Sequence, residues 1–259
     1  MTNLARQLRL SDVALFLDID GTLAPFAPVP EGVKPDLARN GLLRDLLMAL
    51  DGRLAVVSGR AIADIDRILE GTVLSVAGSH GLQRRDARLE MHASAPHPKL
   101  QQAISEVTLF SDAHAGTRLE LKPLSVALHY RGNPDIEPEV RVFARDLAQR
   151  TGLKLQTGAF VAEFLSPGMD KGRAIAAFMA ESPFSDAIPV FVGDDVTDED
   201  GFRAVKDLGG FGILVGPPRD TYAAFRLDSV EGVHAWLAKA LKDAYFNLEV
   251  PVEPSHSRI

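Results

Sequence analysis

The chain has 259 residues, 46% of them hydrophobic, enough to bury a sizeable core as one large domain or two smaller ones. It contains no cysteine, which excludes disulfides, thiolate nucleophiles and cysteine-bound zinc, and fits a reducing compartment such as the cytoplasm. A formal charge of −7 argues against a nucleic-acid partner, and no apolar run reaches the ~20 residues of a membrane helix.

In chain order, Val13 to Leu17 (VALFL) is a compact apolar run that ends abruptly in Asp18-Ile19-Asp20-Gly21-Thr22, the pattern of a buried strand entering a polar turn. A helix is predicted over Lys34 to Leu50. A second buried strand, Leu54 to Val57, stops at Ser58-Gly59-Arg60 and leads into a helix to Leu69. Val73 to Ala77 is a third, ending in Gly78-Ser79-His80-Gly81. Strands alternating with helices imply a mainly parallel sheet with right-handed crossovers. The pattern then changes. Lys99 to Phe110 is predicted helical, Thr117 to Leu121 and Ser125 to Tyr130 are paired strands, Glu137 to Arg150 is a helix, and Leu153 to Thr157 with Phe160 to Leu165 are a second strand pair. This is an α+β unit, placed at residues 83–163 and inserted into an α/β core of residues 1–82 and 164–249. Ile188 to Val192 restores the parallel pattern and ends in Gly193-Asp194-Asp195. Thr197 is expected to cap the following helix, with Asp200 at the capping-box position. Phe211 to Val215 is the predicted last core strand, Val233 to Tyr245 a closing helix, and residues 250–259 a loose tail.

The chemistry gathers at strand ends: Asp18 and Asp20, then Ser58, then Asp194, Asp195 and Asp198. Ligands of open α/β sheets bind beyond the carboxyl ends of the strands, so these segments can meet there. Several carboxylates in one place repel one another unless a cation is present, and Mg²⁺ suits a hard, oxygen-only site that also takes a phosphate. On an extended segment, residues i and i+2 point the same way. Asp18 can then face a phosphorus while Asp20 reaches the leaving oxygen, and Gly21 permits a sharp turn whose exposed amides can hold phosphate oxygens. Each signal has an ordinary alternative. Asp-x-Asp-Gly also makes a turn, Ser58 also caps a helix, and Lys171 before a helix is also a solvated lysine. Glu120 and Lys122, two apart on a strand, can both face a cleft or a wet hairpin surface. His80 is either a substrate neighbour or a buried loop histidine.

The motifs LDIDGTL (17–23), VVSGR (56–60), DKG (170–172) and VGDDVTDED (192–200) resemble, in that order, those of the haloacid-dehalogenase-like phosphatases. The resemblance implies a Rossmann-like core with an inserted α+β cap. It implies Asp18 as nucleophile, Asp20 as general acid/base, Ser58 on the phosphate and Lys171 neutralising charge, with Asp18, Asp20 (through its carbonyl), Asp194, Asp195 and Asp198 at or around Mg²⁺. Beyond the core motifs, GSHG (78–81), Glu120 to Arg131 (ExKPxSxxxHYR), Glu163 to Gly172 (ExxxPGxDKG) and GDDVTDEDGF (193–202) are similar to the trehalose-6-phosphate phosphatases over residues 13–230. This implies a cap closing over a disaccharide phosphate, with Glu120, Lys122 and Glu163 on sugar hydroxyls and His129 and Arg131 at the end of the cap strand. Gly21, Thr22, Gly59, Arg60 and His80 complete the expected substrate-binding set. The implied reaction is Mg²⁺-dependent hydrolysis of trehalose 6-phosphate through an aspartyl-phosphate, the last step of trehalose biosynthesis, by a monomer whose partner is a small molecule. Rival readings are a phosphatase for another sugar phosphate, a phosphosugar-binding regulator and a mutase. The regulator is disfavoured because Asp18, Asp20 and Lys171 are all present.

Overall fold

The computed structural model describes residues 6–27 and 29–249. The chain begins with β1 (Arg6–Arg9), β2 (Val13–Leu17), α1 (Leu37–Ala49), β3 (Leu54–Val57), α2 (Ile62–Leu69), β4 (Ser75–Gly78), β5 (Gln83–Arg85) and β6 (Met91–Ala93). It continues with α3 (Leu100–Ala113), β7 (Arg118–Lys122), β8 (Ser125–His129), α4 (Glu137–Thr151), β9 (Lys154–Gly158) and β10 (Val161–Leu165). It closes with α5 (Lys171–Met179), β11 (Ile188–Gly193), α6 (Glu199–Asp207), β12 (Phe211–Val215), β13 (Phe225–Leu227), α7 (Val230–Asp243) and β14 (Tyr245–Leu248). Two compact units result, one of residues 1–92 with 170–259 and one of residues 93–169.

The first unit is α/β. Its large sheet has the order β13-β12-β11-β2-β3-β4-β5-β6 and is parallel from β13 to β4. β2 lies in the middle and all five of its residues are buried, as its unbroken apolar run requires. Period-two alternation divides those residues between two cores. Val13, Leu15 and Leu17 join Leu43, Leu46, Ile65, Val233 and Leu237 from α1, α2 and α7. Ala14 and Phe16 join Ile175, Phe178, Phe202 and Val205 from α5 and α6. Phe16 packs on the rings of Phe184 and Phe178, at 5.6 and 6.1 Å between centroids. Helices on both faces leave only the strand ends free for polar chemistry.

The second unit is α+β. Its sheet has the order β7-β8-β10-β9, antiparallel throughout. Val126, Leu128, Ala162 and Phe164 pack one face against Ala103, Val107, Ala144 and Leu147 of α3 and α4. The other face carries charged and polar residues.

Several expected boundaries change. Residues 83–92 extend the core sheet as β5 and β6, and do not open the inserted unit; residues 164–169 close it. β5 follows the Gly78–Gly81 turn directly and pairs back on β4, a local hairpin hidden by its charged sequence, QRR. Thr197 caps nothing. It sits inside a 3-10 turn, Val196–Asp198, whose capping box is Asp195 with Asp198. The closing helix begins earlier, at Val230, because Ser229 accepts the Gly232 amide at 3.2 Å. Tyr245, expected in that helix, instead opens β14, which pairs with β1. The expected tail, 250–259, lies outside the described residues. No helix among the described residues is long and apolar enough to cross a membrane.

Candidate active site

β11, β2 and β3 are adjacent and parallel, so the residues that follow them emerge side by side: Asp194 after β11, Asp18 after β2 and Ser58 after β3. The turn after β2 is tightly wound. The Ile19 carbonyl accepts the amides of Thr22, Leu23 and Ala24 at 3.2, 2.8 and 2.8 Å. Gly21 adopts φ +73° within it, and a Cβ there would fall 2.2 Å from Asp194 Oδ2, so a side chain is excluded both by conformation and by space. Of the turn amides expected to hold phosphate oxygens, that of Gly21 is occupied. That amide donates to the Ala24 carbonyl at 2.8 Å because the turn closes on itself. The Thr22 hydroxyl, by contrast, is buried with no hydrogen-bond partner.

Lys171, the first residue of α5, is 2% exposed, and its ammonium lies 3.0 Å from Asp18 Oδ2 and 2.5 Å from Asp198 Oδ1. Asp170 caps that helix by accepting the Arg173 amide at 2.8 Å, which directs Lys171 inward from the first turn. Burial opposes the lysine's charge, but Asp18 and Asp198 outweigh it and hold its pKa above the ordinary range. Burial raises the Asp18 carboxyl; Lys171 pulls it back, and Asp198 and Asp20 push it up again. Asp194 is pushed up to about 8, first by burial and then by Asp18, Asp198 and Asp195. One ammonium thus serves two of three clustered carboxylates. Asp18, Asp194 and Asp198 each place an oxygen within 4.8 Å of the others, and Oδ1 of Asp18 and Oδ1 of Asp194 are buried with no hydrogen-bond partner. An oxygen-only cluster with an excess of negative charge and two orphaned oxygens fits a small hard divalent cation.

The expected metal residues divide by role. Asp198 Oδ2 accepts the amides of Asp194 and Asp195, both at 2.9 Å, while Oδ1 takes Lys171; both oxygens therefore already brace the loop and the lysine. Asp195 is drawn out of the cluster. Its Oδ1 accepts the Val196 amide at 2.7 Å as the cap of the 3-10 turn. The Asp20 side chain is not one of the three clustered carboxylates; both its oxygens are held by Arg60.

Ser58 is 1% exposed, and its hydroxyl accepts the Arg60 amide at 3.3 Å. Arg60, expected on the substrate, engages carboxylates of the protein instead: Asp20 through Nε and Nη2, each at 2.7 Å, and Asp64 through Nη1. His80 contributes through its backbone as well as its ring. Ser79 and His80 both adopt left-handed φ, at 50° and 56°. In that conformation the Ser79 amide donates to the Arg60 carbonyl at 2.8 Å and the His80 amide to the Ser58 carbonyl at 3.0 Å. The imidazole covers Gly59 so closely that a Cβ there would sit 2.6 Å from the ring, and a Cβ on Gly81 would meet the Asp170 carbonyl at 2.5 Å. The GSHG turn therefore braces the Ser58–Arg60 loop and abuts the residue before Lys171. Sequence reasoning missed this bracing role and Asp64; the paired glycines were the available signal.

In the inserted unit, Glu120, Ala127, Glu163 and Gln156 form one row across β7, β8, β10 and β9. Glu163 is 6% exposed and accepts from the Ser125 hydroxyl at 2.6 Å and from Lys122 at 3.0 Å. Glu120 is paired with His129 at 2.8 Å, which holds its pKa below the usual range despite partial burial. Glu120, Lys122 and Glu163 thus come together on one face, joined by a histidine that spacing alone did not link to them. Arg131 is taken elsewhere: it lies 5.2 Å from the centre of the Phe160 ring and donates to the Ala159 carbonyl at 3.3 Å, at the β9–β10 turn.

The family model described as trehalose-phosphatase matches residues 16–231. A trehalose-6-phosphate phosphatase of Escherichia coli is 39% identical over 227 residues, covering 86% of this chain and 85% of that protein. A probable trehalose-phosphate phosphatase of Sinorhizobium fredii is 36% identical, covering 81% of this chain and 80% of its own. Among solved structures, a trehalose-6-phosphate phosphatase related protein superposes with a TM-score of 0.74 at 26% identity, over 88% of this chain and 96% of that one. The C-terminal domain of a Candida albicans trehalose-6-phosphate phosphatase gives 0.79 over 90% of this chain and 92% of its own; at 19% identity that likeness is one of fold.

Proposed function

The chain belongs to the trehalose-phosphatase family and is a phosphoric monoester hydrolase, and we propose that it hydrolyses trehalose 6-phosphate to trehalose and inorganic phosphate with Asp18 as the nucleophile. The observation that carries this reading is the charge imbalance at the strand ends: three clustered carboxylates, one buried ammonium, and an orphaned oxygen on each of Asp18 and Asp194.

In this reading Lys171 draws on Oδ2 of Asp18 and leaves Oδ1 available for bonding to phosphorus. Asp18 attacks in line, the P–O bond to the sugar breaks, and Asp20 delivers the proton that the departing sugar oxygen requires. Asp20, now a carboxylate, takes a proton from water as that water attacks the phosphorus of the aspartyl-phosphate. Phosphate is released and Asp18 is restored. The Ser58 and Thr22 hydroxyls are assigned to the phosphoryl oxygens, with Lys171 offsetting their charge. Asp18, Asp194 and the carbonyl of Asp20 would hold Mg²⁺, with Asp198 bracing them, and the ion would supply Lewis-acid stabilisation of the phosphoryl oxygens. Glu120, Lys122 and Glu163 are assigned to sugar hydroxyls, where charged groups make the stronger hydrogen bonds.

Phosphate release from trehalose 6-phosphate, sucrose 6-phosphate, glucose 6-phosphate and 4-nitrophenyl phosphate, with Mg²⁺ and after chelation, tests this reading. Fastest turnover of the trehalose ester, lost on chelation and restored by Mg²⁺, is expected. Preference for another sugar, or full activity in chelator, would contradict it.

A further inference from the structure

Asp20 does not stand alone in the turn after β2. Arg60 presents Nε to its Oδ2 and Nη2 to its Oδ1, each at 2.7 Å, so one planar fork holds both oxygens. A single hydrogen bond would leave the carboxylate free to rotate; two parallel bonds fix its plane. Arg60 is itself held at every level. Its side chain is 9% exposed, against 27% for Asp20. Its third guanidinium nitrogen is bound by Asp64, on the first turn of α2. Its amide donates to Ser58 Oγ at 3.3 Å and its carbonyl accepts the Ser79 amide at 2.8 Å. Asp64 is held in turn by Arg67 Nε at 2.9 Å, and Arg67 Nη1 donates to the Val33 carbonyl at 3.0 Å. A rigid line of charge therefore runs from α2 through Asp64 and Arg60 to Asp20.

We infer that Arg60 is a positioning residue that orients Asp20 for proton transfer, with Asp64 holding the guanidinium in place. This rests on the assignment of Asp20 as the general acid/base. With Nε, Nη1 and Nη2 each on a carboxylate of the chain, Arg60 is engaged as a strut and not as a ligand of the substrate's phosphate. The two roles have different kinetic signatures. A group that binds phosphate serves every phosphate monoester alike. A group that acts through the general acid matters in proportion to the basicity of the leaving oxygen. A sugar alkoxide must be protonated as it leaves, whereas 4-nitrophenolate leaves without help.

The test compares kcat and KM of the whole chain, with Mg²⁺, on trehalose 6-phosphate and 4-nitrophenyl phosphate for Arg60→Ala, Arg60→Lys, Asp64→Asn and Asp20→Asn. Arg60→Ala is expected to lower kcat/KM, which reports the step that expels the leaving group, by about 10²-fold on the sugar ester, the scale of a misplaced catalytic group, and by far less on the aryl ester, while water attack on the shared aspartyl-phosphate slows alike for both. Arg60→Lys keeps the charge but not the fork, and should recover only part of the loss. Asp64→Asn should show the same selectivity more weakly. Equal losses of kcat/KM on both esters for Arg60→Ala and Arg60→Lys, or a rise in KM alone on both, would overturn the inference and return Arg60 to the phosphate. An unchanged or faster rate on the sugar ester would also overturn it. If Asp20→Asn discriminates between the esters and the Arg60 variants do not, only the role of Arg60 fails. If Asp20→Asn does not discriminate either, the general-acid assignment fails with it.

Discussion

The two sheets carry polar residues in different ways. The inner strands β11, β2 and β3 of the core sheet are buried on both faces and apolar, and the polar groups Asp194, Asp18 and Ser58 stand just beyond their carboxyl ends. The sheet of the inserted unit has one apolar face, packed on α3 and α4, while Glu120, Lys122, Ser125 and Glu163 stand along the strands on the opposite face. The first arrangement concentrates charge at one point, which suits the bond-breaking proposed for it. The second spreads hydrogen-bonding groups over a surface, which suits the sugar recognition proposed for it. Damage to the core edge should therefore abolish reaction on every ester, and damage to the inserted face should alter only the choice among esters.

The largest expected effect is that of Asp18→Asn, which should keep the circular dichroism of the parent and lower kcat by at least about 10³-fold on sugar and aryl phosphates alike. Appreciable turnover in a clean preparation would remove Asp18 from the chemistry. Gly21→Ala comes next. The added methyl would meet the Asp194 carboxylate at 2.2 Å from a left-handed backbone. A loss of about 10²-fold in kcat on both esters is expected from the displaced carboxylate. Denaturant unfolding should show about 1–2 kcal/mol of destabilisation from the backbone conformation alone. Parental activity would mean that the turn and Asp194 are not in register during turnover.

Glu120→Ala sharpens the comparison from the other side. A charged hydrogen bond to a hydroxyl is worth about 1.5–3 kcal/mol, so kcat/KM for trehalose 6-phosphate should fall by about 10-fold or more. The aryl ester should be nearly unaffected, and equal losses on the two would remove the inserted face from sugar reading.

The smallest effect is on stability. Asp194 is raised from 3.8 to about 8, so the ion-free fold retains a proton that the unfolded chain releases. Stability from this group is full below about pH 4 and is lost as pH rises through about 8. Mg²⁺ should therefore raise Tm more at pH 8 than at pH 5, by about 2–4 °C for each kcal/mol recovered, and Asp194→Asn should remove that difference. Equal gains at the two pH values would show that the ion does not answer the charge on Asp194.

The core strands were legible because a strand buried on both faces has to be an unbroken apolar run. Val13 to Leu17 and Phe211 to Val215 fall where their composition put them. That Asp18 and Asp194 stand at strand ends was legible as well, because a break from apolar run to carboxylate marks such an end, whereas Lys171 at the start of a helix was singled out only by the DKG resemblance. The strands β5 and β1 were not legible: they read QRR and RQLR, charged sequences that pair because β4 and β14 offer them an open edge. Hydrogen-bond partners were also beyond spacing arguments. That the Gly21 amide closes its own turn, that Asp195 caps a 3-10 turn, and that Arg60 takes hold of Asp20 all depend on which group arrives first in three dimensions. The same holds for His129 and Glu120, which are apart in sequence and paired across β7 and β8.

The proposed covalent chemistry at Asp18 can be tested by rapid acid quench during turnover of trehalose 6-[³²P]phosphate. The prediction is a protein-bound label that appears within one turnover, is released by hydroxylamine, maps to the peptide bearing Asp18 and is absent from Asp18→Asn. Full turnover with no label on the protein at any quench time, or a label on another residue, would contradict it.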